Sequence, residues 1–349
     1  MPDVAEKYGY PHCTGHRSSL AGGLYNGCKR ESAIKFHFST SVASIESYEP
    51  KVVFTAKPRN GDAYKVEADL LLAADGIKSV TRTEMLAKLG TESEEEDTGQ
   101  AAYRIMLNRC DMENDPELLE LIDCNTVVRW IGARRHIIAY PVSDKTIYNL
   151  STAQPDDNFA AATNATYTTK GAKAAMLKVF DDFCPLVQRM LDLVPDGEVC
   201  EWKLRTHKPL PTWTLGCVAL LGDACHPTLP HLSQGAAMAI EDGAVLAECM
   251  SRVPAGADPA AIGKALKVYE LLRRDHTYAL VDLAAFSGRT LHLGEGKAKE
   301  ERDRHFADHR NKGSVPDKWA SPDVQKMIYS NDCVQQATEN FDKLYAGLS

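Results

Sequence analysis

Residues 217–243, CVALLGDACHPTLPHLSQGAAMAIEDG, constrain the fold more than any other part of the chain. Val218-Ala219-Leu220-Leu221 is an unbroken apolar run of the kind that forms a strand buried on both faces. It ends in Gly222-Asp223 and His226-Pro227, and a helix then opens at about Ala236 among small residues. A buried strand, a turn carrying a carboxylate and a helix form a unit of an open α/β sheet. Such sheets place ligands outside the carboxyl ends of their strands. A second run of this type, LLLAADG, ends in Asp75-Gly76.

An aspartate at a strand's carboxyl end accepts hydrogen bonds from a ligand hydroxyl, and the neighbouring glycine lets the ligand approach the backbone. Asp and Gly also favour plain turns and helix caps, so each motif alone leaves both readings open. In Ser233-Gln234-Gly235-Ala236-Ala237-Met238 the first helical turn has free N–H groups, a positive dipole end and small side chains that leave those groups reachable. That arrangement suits an anion, although small residues also permit tight helix packing.

Along the rest of the chain, residues 32–82 read as strands: AIKFHFSTSVASIES and PKVVFTAK alternate, Asn60-Gly61-Asp62 is a turn, and VEADLLLAAD is one fully buried strand. EMLAKLGTESEEEDTG, residues 84–99, loses its apolar period and becomes acidic, as a solvated loop at a domain boundary does. TVVRWIGA, RHIIAYPV and KTIYNLST then form an antiparallel meander. Residues 170–194 form a helix, a break at Pro185 and a second helix. Residues 260–293 and 322–346 are amphipathic helices flanking the charged stretch KAKEERDRHFADHRNKG, a solvated helix face. The expected domains are 1–83 and 211–290 for the α/β unit, 84–210 for the second sheet and 291–349 for a C-terminal helical region.

With 349 residues and a net charge of −8, the chain holds a sizeable core and shows no basic footprint for nucleic acid or anionic lipid. A small molecule is the expected partner. No apolar run approaches the roughly 20 residues that span a bilayer, and MPDVAEKYGY lacks a signal-peptide core. A cytoplasmic protein is therefore expected. Its ten cysteines have no regular spacing, which predicts reduced thiols, most of them small core residues. His12 and His16 superficially resemble a metal pair, but Pro11 and Gly15 disfavour the helix that would align them and no second ligand pair follows. No metal is expected.

Several segments, in order, resemble the salicylate hydroxylase-like class of FAD-dependent aromatic monooxygenases. They are HRSSL (16–20), ADLLLAADGIKSVTR (68–82), AYRI (102–105), WIGARRHIIAYPV (130–142), EWKLRTHKPLPTW (201–213) and VALLGDACHPTLPHLSQGAAMAIEDGAVLAE (218–248). YELLRRDHTYALVDLA and the later YSND are similar to that family's C-terminal region. The resemblance implies an FAD-binding doubly wound α/β domain, an antiparallel-sheet substrate domain and C-terminal helices. It also implies a reaction in which NAD(P)H reduces FAD and one atom of O2 enters an electron-rich, phenolic ring.

Carried over by residue, Arg17 matches an arginine that contacts FAD and Asp223 an aspartate on the ribityl chain. Gly235 and Ala236 match amides near the pyrimidine edge, where reduced flavin is negative, and Asp75 belongs to a motif shared between FAD and NAD(P)H binding. Arg104 and Tyr140 match an arginine and a tyrosine that orient a phenolate in fungal members. A guanidinium beside a phenolic oxygen favours the electron-rich phenolate. Read without the family, Arg104 is a surface salt bridge and Tyr140 a core residue. His136 shares the strand face of Tyr140 and is a weaker candidate. The family opens with a buried strand and a glycine-rich fingerprint that seats the FAD pyrophosphate. Residues 1–30 show no such segment, so the first β-α-β of the flavin domain is expected to be missing. The alternative function is a flavin-free relative with a non-redox or binding role on a similar aromatic compound.

Overall fold

Two helices, α1 (Val4–Tyr8) and α2 (Arg17–Cys28), open the computed structural model, which describes residues 4–157, 168–170, 172–197, 199–312, 319 and 321–348. His16 caps α2, its Nδ1 accepting the Ser18 amide at 3.3 Å. The alternating segment that follows gives β1 (Thr40–Ser47), β2 (Val52–Pro58) and β3 (Tyr64–Ala68). Then come β4 (Leu71–Ala73), α3 (Val80–Lys88) and the long β5 (Glu95–Asn108). After α4 (Arg109–Met112) and α5 (Pro116–Asp123), the predicted meander forms as β6 (Val128–Gly132), β7 (Arg135–Val142) and β8 (Ile147–Pro155).

β9 (Thr168–Lys170) precedes the predicted helix pair, α6 (Lys173–Val179) and α7 (Pro185–Asp192), in which Pro185 is the first residue of the second helix. β10 (Cys200–His207), β11 (Thr214–Leu215) and β12 (Val218–Leu220) follow. The chain ends in helices α8 (Gly235–Ser251), α9 (Pro259–Leu291), α10 (Lys297–Lys312), α11 (Pro322–Tyr329) and α12 (Cys333–Gly347).

The chain forms two compact units. The first comprises Met1–Lys35, Thr98–Leu204 and Arg289–Ser321, and the second Phe36–Asp97, Arg205–Gly288 and Pro322–Ser349. Residues 1–35 thus group with the meander, and the boundary expected near residue 84 falls within β5. In the first unit the sheet order is β6-β7-β8-β5-β10-β9. One face of this sheet carries Tyr103, Ile105, Leu107, Ile137, Ala139, Tyr148 and Leu150, and these pack with α5, α6 and α7 residues such as Leu118, Met176 and Val187 into a buried core.

The second unit has the sheet β1-β2-β3 and a small sheet, β11-β12-β4, in which β12 and β4 run parallel, Leu220 beside Ala73. Its core joins β12 to Leu86 of α3, Leu246 of α8, Leu266 of α9 and Phe341 of α12. Gly216, between β11 and β12, has φ +54°, and a Cβ there would lie 2.6 Å from the Tyr48 carbonyl oxygen, so the turn admits no side chain.

Three local expectations are corrected. VEADLLLAAD is two short strands rather than one buried strand. Ala68 pairs antiparallel with Val52 of β2, Leu71 pairs parallel with Val218 of β12, and Asp69 between them ion-pairs with Lys51. Leu72 is 42% exposed, and β4 has a described neighbour on one edge only. Residues 84–99 are a loop only in part: α3 runs to Lys88, residues 89–94 are turn and coil, and the acidic run then enters β5, where Arg205 of β10 pairs with Glu95 and Asp97. All ten cysteines are free thiols, but only Cys217, Cys225 and Cys249 are buried. Among the described residues no helix is long and apolar enough to cross a membrane.

Candidate functional site

The parallel pairing of β4 and β12 sends both predicted carboxylates out at the same end of the small sheet, two residues beyond Ala73 and three beyond Leu220. Their surroundings differ. Asp75 Oδ1 accepts from Ser79 Oγ at 2.5 Å and Oδ2 from the Thr81 amide at 3.1 Å, while Ser79 Oγ accepts from the Arg82 amide at 2.9 Å. Asp75 and Ser79 together close the N-terminus of α3. Asp223 lies in a single 3-10 turn, Gly222–Ala224, is exposed, and accepts no described hydrogen bond.

Helix α8 stands behind that turn. Gly222 has φ +55°, and a Cβ on it would meet the Ala239 Cβ at 3.1 Å, so only glycine lets the turn lie this close to α8. Gln234 at the N-cap of α8 makes no side-chain capping bond. The first amides of this 17-residue helix, Gly235 and Ala236 among them, therefore carry no cap from that residue, and the dipole end is open to an acceptor. An exposed carboxylate on a turn packed against α8, together with amide donors at the start of that helix, can take a chain of hydroxyls that leads to a ring carbonyl, as FAD carries. Arg17 begins α2 in the first unit and is exposed.

Beneath the turn is a buried ionic cluster absent from the sequence reading. Asp242 of α8 accepts the Gly222 amide at 3.0 Å and His226 Nε2–H at 2.6 Å on Oδ2, and Arg273 Nε–H at 2.9 Å on Oδ1. Arg273 also pairs with Glu241 at 2.7 Å. Burial pushes the Asp242 carboxyl up, but the His226 bond and charge, Arg273 and the Gly222 amide outweigh it and hold the group below its ordinary range. Burial likewise lowers Arg273, and the charges of Glu241 and Asp242 more than restore it. Cys225, His226 and Asp242 lie close enough to ligate an ion, yet both Asp242 oxygens already hold donors.

Arg82 of α3 ties the two strand ends together, donating from Nη1 to Ala224 O at 2.9 Å and from Nη2 to Ile77 O at 2.6 Å. A local signal for these groups existed in the adjacent arginines of YELLRRDH and the acidic pair of AIEDG. Their burial was not visible.

In the first unit, register places the substrate-side candidates on one sheet face. Arg104 lies opposite Ser151, Ser151 opposite Ile138, and Tyr140 opposite Asn149, so these side chains share the face turned away from the core. Arg104 is exposed and Tyr140 half-buried. Burial raises the Tyr140 phenol, while the Arg104 charge and a hydrogen bond from Asn149 partly offset it, so the hydroxyl stays protonated. His136 is on the same face but buried, its Nδ1 bonded to His292 Nε2 at 2.7 Å. Burial, with the charges of Arg129 and Arg302, lowers His292 to about 4.

The family described as FAD binding domain matches residues 13–284. The chain belongs to this FAD-binding family. It is 30% identical over 337 residues to the FAD-dependent monooxygenase OpS4 of Beauveria bassiana, covering 96% of this chain and 75% of that protein. It is 30% identical over 291 residues to the 3-hydroxybenzoate 6-hydroxylase of Polaromonas naphthalenivorans, covering 82% of this chain and 65% of the relative. The fold matches a salicylate hydroxylase substrate complex with a TM-score of 0.69 at 22% identity, over 95% of this chain and 75% of that one. This FAD-binding family includes aromatic hydroxylases, and FAD is its cofactor. The predicted α/β fold with an antiparallel sheet and C-terminal helices is the one found.

Proposed function

We propose that the protein binds FAD and uses NAD(P)H and O2 to hydroxylate a phenolic aromatic compound. The observation that carries this reading is the pairing of Asp223, exposed and accepting no described hydrogen bond, with the uncapped N-terminus of α8 at a strand's carboxyl end. Bound there, the flavin supplies electron transfer from NAD(P)H to O2 and oxygen insertion.

The chain's own part is binding and orientation. Asp223 accepts from ribityl hydroxyls, and the Gly235 and Ala236 amides donate to the pyrimidine edge, where they favour negative charge. Arg17 contributes a charged contact to the cofactor. Asp75, whose oxygens hold the start of α3, acts by shaping the neighbouring strand end. On the sheet face, the Arg104 guanidinium stabilises a substrate phenolate and the protonated Tyr140 hydroxyl donates to the same oxygen.

The test is a purified protein incubated with FAD, washed free of unbound cofactor, and supplied with NADH or NADPH, a panel of phenols and 18O2. A yellow protein with an absorbance band near about 450 nm and one labelled oxygen in a ring product is expected. Arg104→Ala and Tyr140→Phe should keep the flavin and the NAD(P)H oxidation while releasing hydrogen peroxide in place of product. A protein that stays colourless with excess FAD would overturn the reading in favour of a binding role.

A further inference from the structure

We infer that the buried Asp242 carboxylate, with His226 and Arg273, is the positioning device that fixes Asp223 relative to the N-terminus of α8; the inference rests on the flavin reading above. Asp242 stands on the helix that supplies the Gly235 and Ala236 amides. Its Oδ2 accepts from Gly222 on one side of Asp223 and from His226 on the other, at 3.0 and 2.6 Å. The turn is therefore held at both ends by a single oxygen.

Arg273 Nε–H on Oδ1, at 2.9 Å, prevents that carboxylate from rotating. Asp242 is wholly buried, and Arg273 and His226 are almost so, which keeps water from competing for these bonds. Asp223 accepts no described bond of its own, so its direction is inherited from the backbone on either side. Small side chains from α8 press the turn from behind, Ala239 against Gly222, and leave it one resting position. A buried ion pair is weak evidence for stability as such, and a polar cluster that fixes geometry is the better-attested use.

The test compares four variants of the full chain by FAD titration, by the shape of the bound-flavin visible circular dichroism, and by amide exchange of the peptide spanning residues 222–225. Asp242→Asn and His226→Ala should weaken FAD binding about 10- to 100-fold, as loss of a charge-assisted hydrogen bond implies. Both should also alter the dichroic band and speed exchange in the turn. His226→Gln, whose amide reaches the same carboxylate, should restore most of the affinity. Leu266→Ala, a core truncation away from the turn, should lower the melting temperature with affinity and dichroism unchanged. If affinity falls in step with melting temperature in all four, or turn exchange is unchanged in His226→Ala, the cluster is merely structural and the inference fails. A wild-type chain that binds no FAD strikes the flavin reading, and this inference with it; a wild type that binds FAD with His226→Ala its equal strikes the inference alone.

Discussion

The two strand ends of the small sheet carry the same residues in opposite order, Asp75-Gly76 and Gly222-Asp223, and use them differently. After β4 the carboxylate turns inward along the chain and caps α3 through Ser79 and Thr81. After β12 the backbone, not the carboxylate, is held: Asp242 grips the Gly222 amide, and Asp223 accepts nothing described. A motif of Asp and Gly at a strand end thus has two outcomes. Which one occurs depends on whether the next helix starts at once, five residues past Asp75, or is delayed until Gly235.

The largest expected difference between the two ends is in stability. Asp242→Ala leaves Arg273 buried with only Glu241 opposite and the Gly222 amide without an acceptor. Breaking a buried pair in this way costs about 3–5 kcal/mol, read as a lower midpoint in urea unfolding. An effect below about 1 kcal/mol, the range of an exposed pair, would mean that the β12 end needs no support from α8.

Next in size is the ligand effect. Asp223→Ala removes an acceptor that no described donor uses, so the apo protein should keep its unfolding midpoint. FAD affinity should fall by about 1–3 kcal/mol, the cost of an unpaired ligand hydroxyl. Unchanged FAD binding would erase the distinction between the two ends.

Acid sharpens the same contrast. A carboxyl held below its unfolded value adds stability that is complete above the ordinary Asp value of 3.8 and is lost as pH falls through its native value. Protection of the amides at residues 222–225, relative to their intrinsic exchange rate, should therefore fall only as pH drops below the ordinary Asp value and Asp242 protonates. If those amides stay protected down to the pH of global unfolding, Asp242 is not what holds them.

How much of this was legible in the sequence follows from which contacts are local. The apolar run into Gly222-Asp223 and the small residues after Gln234 are signals within one segment, and strand, turn and helix appear where they point. Strand alternation alone puts Tyr140 and His136 on one face, but only pairing through β8 adds Arg104 to it. The Asp242 cluster depends on Arg273, 31 positions away, and such a contact leaves no periodic trace in a helix that otherwise reads as amphipathic. VEADLLLAAD misled because periodicity cannot tell one buried strand from two short strands that join different sheets. The break at Asp69 is set by partners, β2 on one side and β12 on the other.

The smallest expected effect is at the other strand end. Asp75→Ala removes the acceptor for Thr81 N and for Ser79 Oγ, but Ser79 remains to accept the Arg82 amide at 2.9 Å, so α3 keeps part of its cap. The loss should be about 1 kcal/mol, as for a typical capping residue. Because Arg82 of α3 also donates to the Ala224 carbonyl, some loosening should pass to the turn that bears Asp223, and FAD affinity should drop by less than in Asp223→Ala. Chemical unfolding of the apo protein and FAD titration of the same sample separate the two contributions. If Asp75→Ala instead leaves stability intact and loses FAD as completely as Asp223→Ala, the carboxylate faces the cofactor directly, and the two strand ends play the same part after all.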